Sequence, residues 1–391
     1  MKKKKIAIVN QRYGVEVNGG SEQYTRMIAE RLQKYYDVEV LTTCALNYDT
    51  WEDYYTEGTE KINGVSVRRF RVKRPRNLKR FHFANLLAYR VPFARKLIEN
   101  RWVKEQGPYA PQLLDYIEEN IEQYDVVIFV TYLYYLTAKG LPRVAEKSIL
   151  IPTAHDEPYI RYGIYREVFE GAKGLIYLTE AEKELVESRF AVAEKRNEVI
   201  AVGVDVPQKT DGEAFRKKYQ IAEPYFIYVG RVDLGKNCDE LFEWFRNYKK
   251  HVKSSVKLVL LGKCMMDIPE EEDIVSLGFV SEEDKYDGMA GARALIMPSA
   301  FESLSLVVLE SLSLKTPVLV NGQCEVLKKH CLQSNAGIAY DGYEEFEEGL
   351  NFFMTDSEEY LCMKENGTRY VKERYTWDSV EKKLAGFIEN I

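Results

Sequence analysis

The feature that most constrains this chain is a strand-length apolar run, Ala294-Leu295-Ile296-Met297, that turns through Pro298-Ser299-Ala300-Phe301-Glu302-Ser303 directly into a second apolar segment. The first run reads as a buried strand. The second, with Leu304, Leu306, Val307, Val308, Leu309, Leu312 and Leu314, reads as a helix that is apolar almost all round. A helix with no polar face belongs in the interior. A buried strand passing straight into a buried helix is the repeating unit of an α/β fold. Glu310 then lies where a carboxylate is expensive unless something hydrogen-bonds to it. Glu302 stands eight positions earlier, at the mouth of the corner where the strand ends. One carboxylate at a strand's carboxyl end, another on a buried helix and free amides between them make a ligand site. The plainer alternative is a capped helix with one awkward glutamate.

The same rhythm runs along the chain. Strands are expected at Lys5–Asn10, Val38–Thr42, Val65–Val72, Asp125–Val130, Ser148–Ile151, Gly174–Leu178 and Glu198–Val202. After Gly203-Val204-Asp205-Val206-Pro207, which reads as a linker, strands recur at Tyr225–Gly230, Val256–Gly262, Ile274–Gly278, Ala294–Met297, Pro317–Val320 and Gly337–Tyr340. A chain of 391 residues is too long for one ordinary core, so two domains are expected. A dinucleotide fold would carry Gly-x-Gly-x-x-Gly directly after its first strand and an acid about 20 residues on. Here the loop to Gly19-Gly20 is too long and the second strand ends Leu41-Thr42-Thr43, so NAD binding is disfavoured.

Hydrophobic residues make up 46% and charged residues 30%, the balance of a soluble globular protein, with no apolar run of the ~20 residues that span a bilayer. Lys2 to Lys5 followed by Ile6-Ala7-Ile8-Val9 lacks the long apolar segment and cleavage site of a signal peptide. The six cysteines are scattered with no Cys-x-x-Cys pair and the four histidines are dispersed, so no disulfide framework and no metal site is expected. A cytoplasmic location follows. The net charge of −6 is unevenly spread: Arg68 to Lys104 holds thirteen Lys or Arg and one acid, Glu99, interleaved with Phe70, Phe81 and Phe83. Such a run serves anionic phospholipid, a polyphosphate-linked acceptor or nucleic acid, or is simply a solvated basic face. No nucleic-acid motif accompanies it, so no nucleic-acid partner is expected.

A Glu, seven residues and a second Glu, after a strand ending Pro298-Ser299 and before an apolar helix, resembles the signature of GT-B retaining glycosyltransferases, and of glycosyltransferase family 4 in particular. The resemblance is dense from Tyr225 to Tyr340 and thin before it. It implies an α/β fold of two Rossmann-like domains with parallel sheets facing across a cleft: residues 1–205 on the acceptor side, 206–374 binding the nucleotide-sugar donor, and 375–391 as a terminal helix packing back on the first domain. Glu302 is implied to face the donor sugar's hydroxyls and Glu310 to hold the ribose. The amides of Ser303, Leu304 and Ser305 are implied to meet the diphosphate at a helix N-terminus, where anions are favoured. The strand ending in Gly230 is followed by Arg231 and Lys236, similar to the family's Gly-Arg…Lys element. Fixed positive charge there would stabilise a departing diphosphate. Gly278-Phe279-Val280 resembles the base-contacting turn. Gly19 and Gly20 resemble the N-terminal loop beside the diphosphate, and His155, after Pro152-Thr153-Ala154, the family's histidine near the donor sugar.

Two positions depart from the pattern. Relatives often have Gly-Phe-Gly where this chain has Ser303-Leu304-Ser305, and a Pro where it has Cys324 in Asn321-Gly322-Gln323-Cys324-Glu325. The bulkier corner bears on which sugar is taken. The implied activity is transfer of a hexosyl unit from a nucleoside-diphosphate sugar to a glycan or lipid-linked acceptor, with retained configuration, no resident cofactor and no metal. The enzyme would be cytoplasmic, with peripheral attachment to the inner membrane face through Arg68–Lys104. Two rivals stay open: a sugar-nucleotide isomerase (epimerase) on the same architecture, and a non-catalytic relative that binds a sugar nucleotide.

Overall fold

The structure is a computed structural model that describes residues 3–17, 19–90 and 95–391, and for residues 87–90, 95 and 96 the backbone alone. The chain divides into two compact units, Met1–Val202 with Val380–Ile391, and Gly203–Ser379.

The first unit holds β1 (Lys5–Val9), β2 (Asp37–Thr43), β3 (Gly58–Ile62), β4 (Val65–Phe70), β5 (Val126–Val130), β6 (Ser148–Ile151), β7 (Gly174–Tyr177) and β8 (Arg196–Val199). They form one sheet in the order β3-β4-β2-β1-β5-β6-β7-β8. All neighbours are parallel except β3 and β4. Ile6, Ala7, Ile8 and Val9, like Val127 to Val130, are fully buried. A parallel strand covered on both faces is apolar at every position rather than at alternate ones. The order reverses between β1 and β5, and a crevice at the carboxyl ends of the strands is expected at such a reversal.

The last helix, Trp377–Glu389, contributes Val380, Leu384 and Phe387 to the buried set, and Glu381 accepts from Lys34, Arg31 and Tyr35 of the first unit. Phe387 also lies against Gly174 at the start of β7, where a Cβ would come within 3.0 Å of its ring.

The second unit holds β9 (Tyr225–Val229), β10 (Lys257–Leu261), β11 (Ile274–Gly278), β12 (Leu295–Met297), β13 (Val318–Asn321) and β14 (Gly337–Tyr340). All are parallel, in the order β11-β10-β9-β12-β13-β14. Here the order reverses between β9 and β12. The chain leaves the carboxyl end of β9 at Gly230 and that of β12 at Pro298, so both sequence motifs emerge at the reversal. A close approach is built in between the loops after β9 and β10. A Cβ on Gly262 (φ +138°) would lie 1.9 Å from the Gly230 carbonyl, so only glycine fits there.

Two expectations shift. The helix after β12 starts at Leu306 and is only Leu306–Ser313, because Ser305 adopts a left-handed conformation (φ 61°) and ends the corner. The strand expected over Glu198–Val202 pairs instead over Arg196–Val199, where its hydrogen bonds to β7 are made. The edge strand β3 was not expected at all. Its sequence, GTEKI, is almost entirely exposed, so no burial pattern marks it. Among the described residues, no helix is long and apolar enough to cross a membrane.

Candidate functional site

The site of the second unit is assembled at the reversal between β9 and β12. After Gly230 the chain makes a short 3₁₀ turn, Leu234–Lys236, capped by Asp233, whose carboxylate accepts the Lys236 N–H at 2.9 Å. Asp233 also lies 3.4 Å from the Arg231 guanidinium. The capped turn sets the base of the Lys236 side chain, and its ammonium reaches Glu302 Oε1 at 2.5 Å. Lys236 and Glu302, 66 residues apart, are thus brought together as a partly exposed ion pair, with 27% and 13% of their side chains accessible. The Tyr228 hydroxyl on β9 donates to the Arg231 carbonyl at 2.5 Å and braces the same loop.

The corner before the helix Leu306–Ser313 is tied down at its start. Ser299 Oγ meets the Phe301 carbonyl at 3.0 Å, and Asn321 at the end of β13 donates to the Pro298 carbonyl at 3.0 Å. Ser305 is 8% exposed, and its Oγ has no hydrogen-bond partner among the described residues. The hydroxyls of Tyr13, Tyr24, Thr42 and Tyr177 are likewise buried without a partner among the described residues, but of these Ser305 is the one that stands at the corner. It sits at the N-terminal end of an eight-residue helix whose first N–H groups have no partner within the helix.

Glu310 is 6% exposed on that helix and accepts from Lys285 Nζ and Tyr286 Oη, each at 3.2 Å. Both donors belong to the helix Glu282–Ala290, which follows β11 and the turn Gly278-Phe279-Val280. Burial raises the Glu310 carboxyl above the usual carboxylate range, and Lys285 acts against that shift. Gly278 has φ +65°, and Phe279 is 73% exposed. The turn therefore offers an exposed aromatic face, on a left-handed backbone that glycine adopts freely, within one helix of Glu310.

Gly19, Gly20 and His155 lie in the first unit, at the carboxyl ends of β1 and β6. Gly19 caps the helix Gly20–Leu32, and its backbone (φ 150°) passes Glu22, whose carboxylate oxygen would lie 2.2 Å from a Cβ at Gly19. Glu22 itself accepts from Arg12 at 2.5 Å, a buried ion pair that ties the loop after β1 to the helix. His155 Nε2 stands 3.5 Å from Glu157, which accepts from Tyr132 Oη at 2.7 Å.

Sequence reasoning missed several supports. Glu182, fully buried, accepts the N–H groups of Ala154 (2.5 Å) and Leu178 (2.6 Å), so it fixes the backbone beside His155. Burial raises its carboxyl to about 8. The signal was present: Thr179-x-x-Glu182 has the form of a capping box, and Thr179 does accept the Glu182 N–H. Lys285 and Tyr286 carried no local signal.

The basic segment is changed most. Arg68 pairs with Glu39 (2.9 Å), Arg69 with Glu60 (2.5 Å), Arg71 with Glu57 (3.5 Å) and Arg74 with Glu105 (2.7 Å). Arg76 donates to the Gln106 carbonyl. Lys73, Lys79 and Arg80 are exposed, as are Leu78, Phe83 and Leu86. Within Arg68–Lys104, residues 91–94 and the side chains of Arg90, Arg95 and Lys96 lie outside the described residues.

Comparison with known proteins bears on this geometry. Residues 211–370 match the family model described as glycosyl transferases group 1. The chain is 23% identical to an uncharacterized glycosyltransferase, MJ1607, of Methanocaldococcus jannaschii, over 97% of this chain and 96% of the relative. Among solved structures, sucrose-phosphate synthase from Thermosynechococcus elongatus superposes with a TM-score of 0.71 at 14% identity, over 99% of each chain. Anabaena Alr3699/HepE in complex with UDP and glucose superposes with a TM-score of 0.69 at 14% identity, over 99% of this chain and 100% of the other. The two parallel-sheet α/β units are those of the GT-B fold.

Proposed function

We propose that this chain, a GT-B glycosyltransferase with a group 1 domain, transfers a hexosyl unit from a nucleoside-diphosphate sugar with retained anomeric configuration. One observation carries the donor reading. The partnerless, buried hydroxyl of Ser305 opens an apolar helix beside the Lys236–Glu302 pair, at the reversal of the sheet order. A diphosphate would supply the acceptor oxygens that Ser305 Oγ and the first helical N–H groups lack. That the HepE structure holds UDP and glucose supports a donor of this class.

The roles follow from the chemistry. Arg231 and Lys236 face the negative charge that grows on the diphosphate as the anomeric carbon–oxygen bond breaks. The acceptor hydroxyl attacks the face the diphosphate leaves, and its proton passes to the departing phosphate oxygen. Glu302 orients the sugar hydroxyls and supports positive charge at the anomeric carbon. Glu310 accepts from the ribose hydroxyls, and the backbone of Gly278, Phe279 and Val280 meets the base. The amides of Ser303 and Leu304 complete the corner. Because two cations supply the charge stabilisation, the reaction needs no metal.

The test is a product assay with candidate sugar nucleotides and a panel of glycan and lipid-linked acceptors, reading the anomeric configuration by NMR. An inverted product refutes retention. Conversion of the sugar nucleotide without any acceptor favours the isomerase instead.

The acceptor is a polysaccharide precursor, and the exposed Lys73, Lys79 and Arg80 beside Leu78, Phe83 and Leu86 suit contact with the anionic inner face of a membrane. Co-sedimentation with phosphatidylglycerol vesicles should fall steeply with salt. No binding at low salt would sink this part of the reading.

A further inference from the structure

The corner Glu302–Ser305 presents the polar groups of the donor site, and the helix that follows holds the Ser305 carbonyl through the Val308 N–H at 3.1 Å. Their direction is set from behind. His330 lies on the helix Glu325–Ser334, on the face that also buries Val326, Leu327, Cys331 and Ser334. Its ring is 3% exposed and both nitrogens are engaged: Nε2 lies 2.8 Å from the Leu304 carbonyl oxygen and Nδ1 lies 2.9 Å from Tyr370 Oη. A carbonyl can only accept, so Nε2 carries the proton. Burial lowers the ring to about 4, which keeps it neutral near pH 7. Nδ1 is then an acceptor facing the Tyr370 hydroxyl, whose one hydrogen is shared between it and Gln333 Oε1 at 3.2 Å. Tyr370 Oη is in turn 3.0 Å from Tyr375 Oη. The tautomer is fixed by its partners.

We propose that His330 is a positioning residue that aims the Ser305 amide and hydroxyl at the donor diphosphate; this rests on the donor site proposed above. In a trans peptide the carbonyl and the following N–H point in opposite directions. With the Leu304 carbonyl drawn into the core by His330, the Ser305 N–H faces away from the core. Ser305 holds φ 61°, a left-handed conformation that residues with a Cβ keep only when neighbours enforce it. Without His330 the Leu304–Ser305 peptide is free to rotate, and a flip would present a carbonyl oxygen to an anion where an N–H had stood.

The readout must separate a misaimed corner from a loosened fold. A nucleoside touches the base and ribose positions only, whereas its diphosphate also uses the corner. The dissociation constants of UDP, GDP and ADP, and of the parent nucleosides, are measured for the wild type, His330→Phe, His330→Gln and Tyr370→Phe. His330→Phe should weaken the bound diphosphate about tenfold or more, the effect of losing hydrogen bonds to a charged group, and leave the nucleoside unchanged. His330→Gln, whose amide N–H can reach the same carbonyl, should recover to within about threefold. Tyr370→Phe should fall between them.

Equal losses for diphosphate and nucleoside, or no loss for either, overturn the proposal. If His330→Phe does not fold, the other two variants decide by the same ratio of diphosphate to nucleoside affinity. If the wild type binds none of the nucleoside diphosphates, the donor-site reading has failed and this proposal falls with it. A wild type that binds alongside an unaffected His330→Phe refutes the proposal alone.

Discussion

Replacing Glu310 by alanine should remove nucleotide binding and leave the fold almost intact, and the structure gives the size of both effects. On the folding side, truncation takes a carboxylate from a site where it is 6% exposed. Burial already disfavours its charge, so removing it relieves a desolvation cost. Lys285 loses one partner but keeps Glu282 at 2.9 Å, and Tyr286 loses an acceptor. These terms oppose, so the net change in stability should lie within about 1 kcal/mol. On the binding side, a carboxylate that accepts from ribose hydroxyls contributes about 1.5–3 kcal/mol per bond, so one to two bonds correspond to about a hundredfold or more in affinity. A nucleoside diphosphate at 100 times its Kd stabilises the wild type by about 2.7 kcal/mol, and at the same concentration a hundredfold weaker variant gains only about 0.4 kcal/mol. For a unit of this size each kcal/mol moves Tm by about 2–4 °C, so a ligand shift of about 5–11 °C should shrink to about 1 °C. The assay is a thermal-shift panel of UDP, GDP, ADP, CMP and NAD on both proteins. A variant that keeps the wild-type shift shows that Glu310 does not touch the ligand. A variant whose own Tm falls by about 10 °C or more, several kcal/mol on the same scale, shows that the carboxylate is structural.

Glu302→Ala should lower kcat by about a hundredfold or more while nucleoside diphosphate affinity holds or improves, because Lys236, released from its 2.5 Å partner, is available to the phosphates; equal losses in both would contradict the assigned role. Activity should survive EDTA, and abolition by EDTA with recovery in magnesium would replace the cation mechanism with a metal one. Stability should fall with acid through His330: its ring titrates at about 4 when folded against 6.5 when unfolded. The unfolded chain therefore binds the extra proton as pH drops below 6.5, costing about 2 kcal/mol by pH 5 and about 3 kcal/mol below pH 4. Glu182, raised to about 8, gains stability over the same window in both proteins, so urea unfolding at pH 7 and 5 should show the His330 loss as a wild-type change about 2 kcal/mol less favourable than that of His330→Gln; equal changes in the two would contradict the assignment.

The fold was legible where strands are buried on both faces. Tyr225–Val229 and Val126–Val130 are unbroken apolar runs because a parallel sheet covered by helices leaves no solvent side. It was illegible at the edges. Gly58–Ile62 pairs with β4 through the backbone ladder and one cross-strand ion pair, Glu60 with Arg69, and no alternation of buried and exposed side chains marks it in the sequence. Arg231, Lys236, Glu302 and Glu310 could be named from the sequence because they sit at fixed offsets from a strand end, and the structure brings Lys236 and Glu302 together. Their supports were not. Glu182 acts on Ala154 across 28 residues and His330 on Leu304 across 26, distances that no local spacing encodes. His330 left one trace: with Val326, Leu327, Cys331 and Ser334 it falls on the buried stripe of its helix, where a polar ring must find partners. The basic segment misled for the same reason. Arg68, Arg69, Arg71 and Arg74 pair with Glu39, Glu60, Glu57 and Glu105, and those partners lie 9 to 31 residues away.

The same physics links the buried helix to the proposed chemistry. The helix Leu306–Ser313 is buried from Val308 to Leu312, and where water is excluded every charge interaction is strengthened. Exclusion also makes each polar group on it costly, so Glu310 has Lys285 and Tyr286, and the Leu304 carbonyl has His330. The exception is Ser305 Oγ, which nothing in the described chain satisfies. A fold that satisfies a buried carboxylate and a buried carbonyl but leaves a hydroxyl between them without a partner has placed the gap where an anion would close it. If Ser305→Ala binds nucleoside diphosphates as tightly as the wild type, that gap is a defect of packing and the corner is not where the phosphates lie.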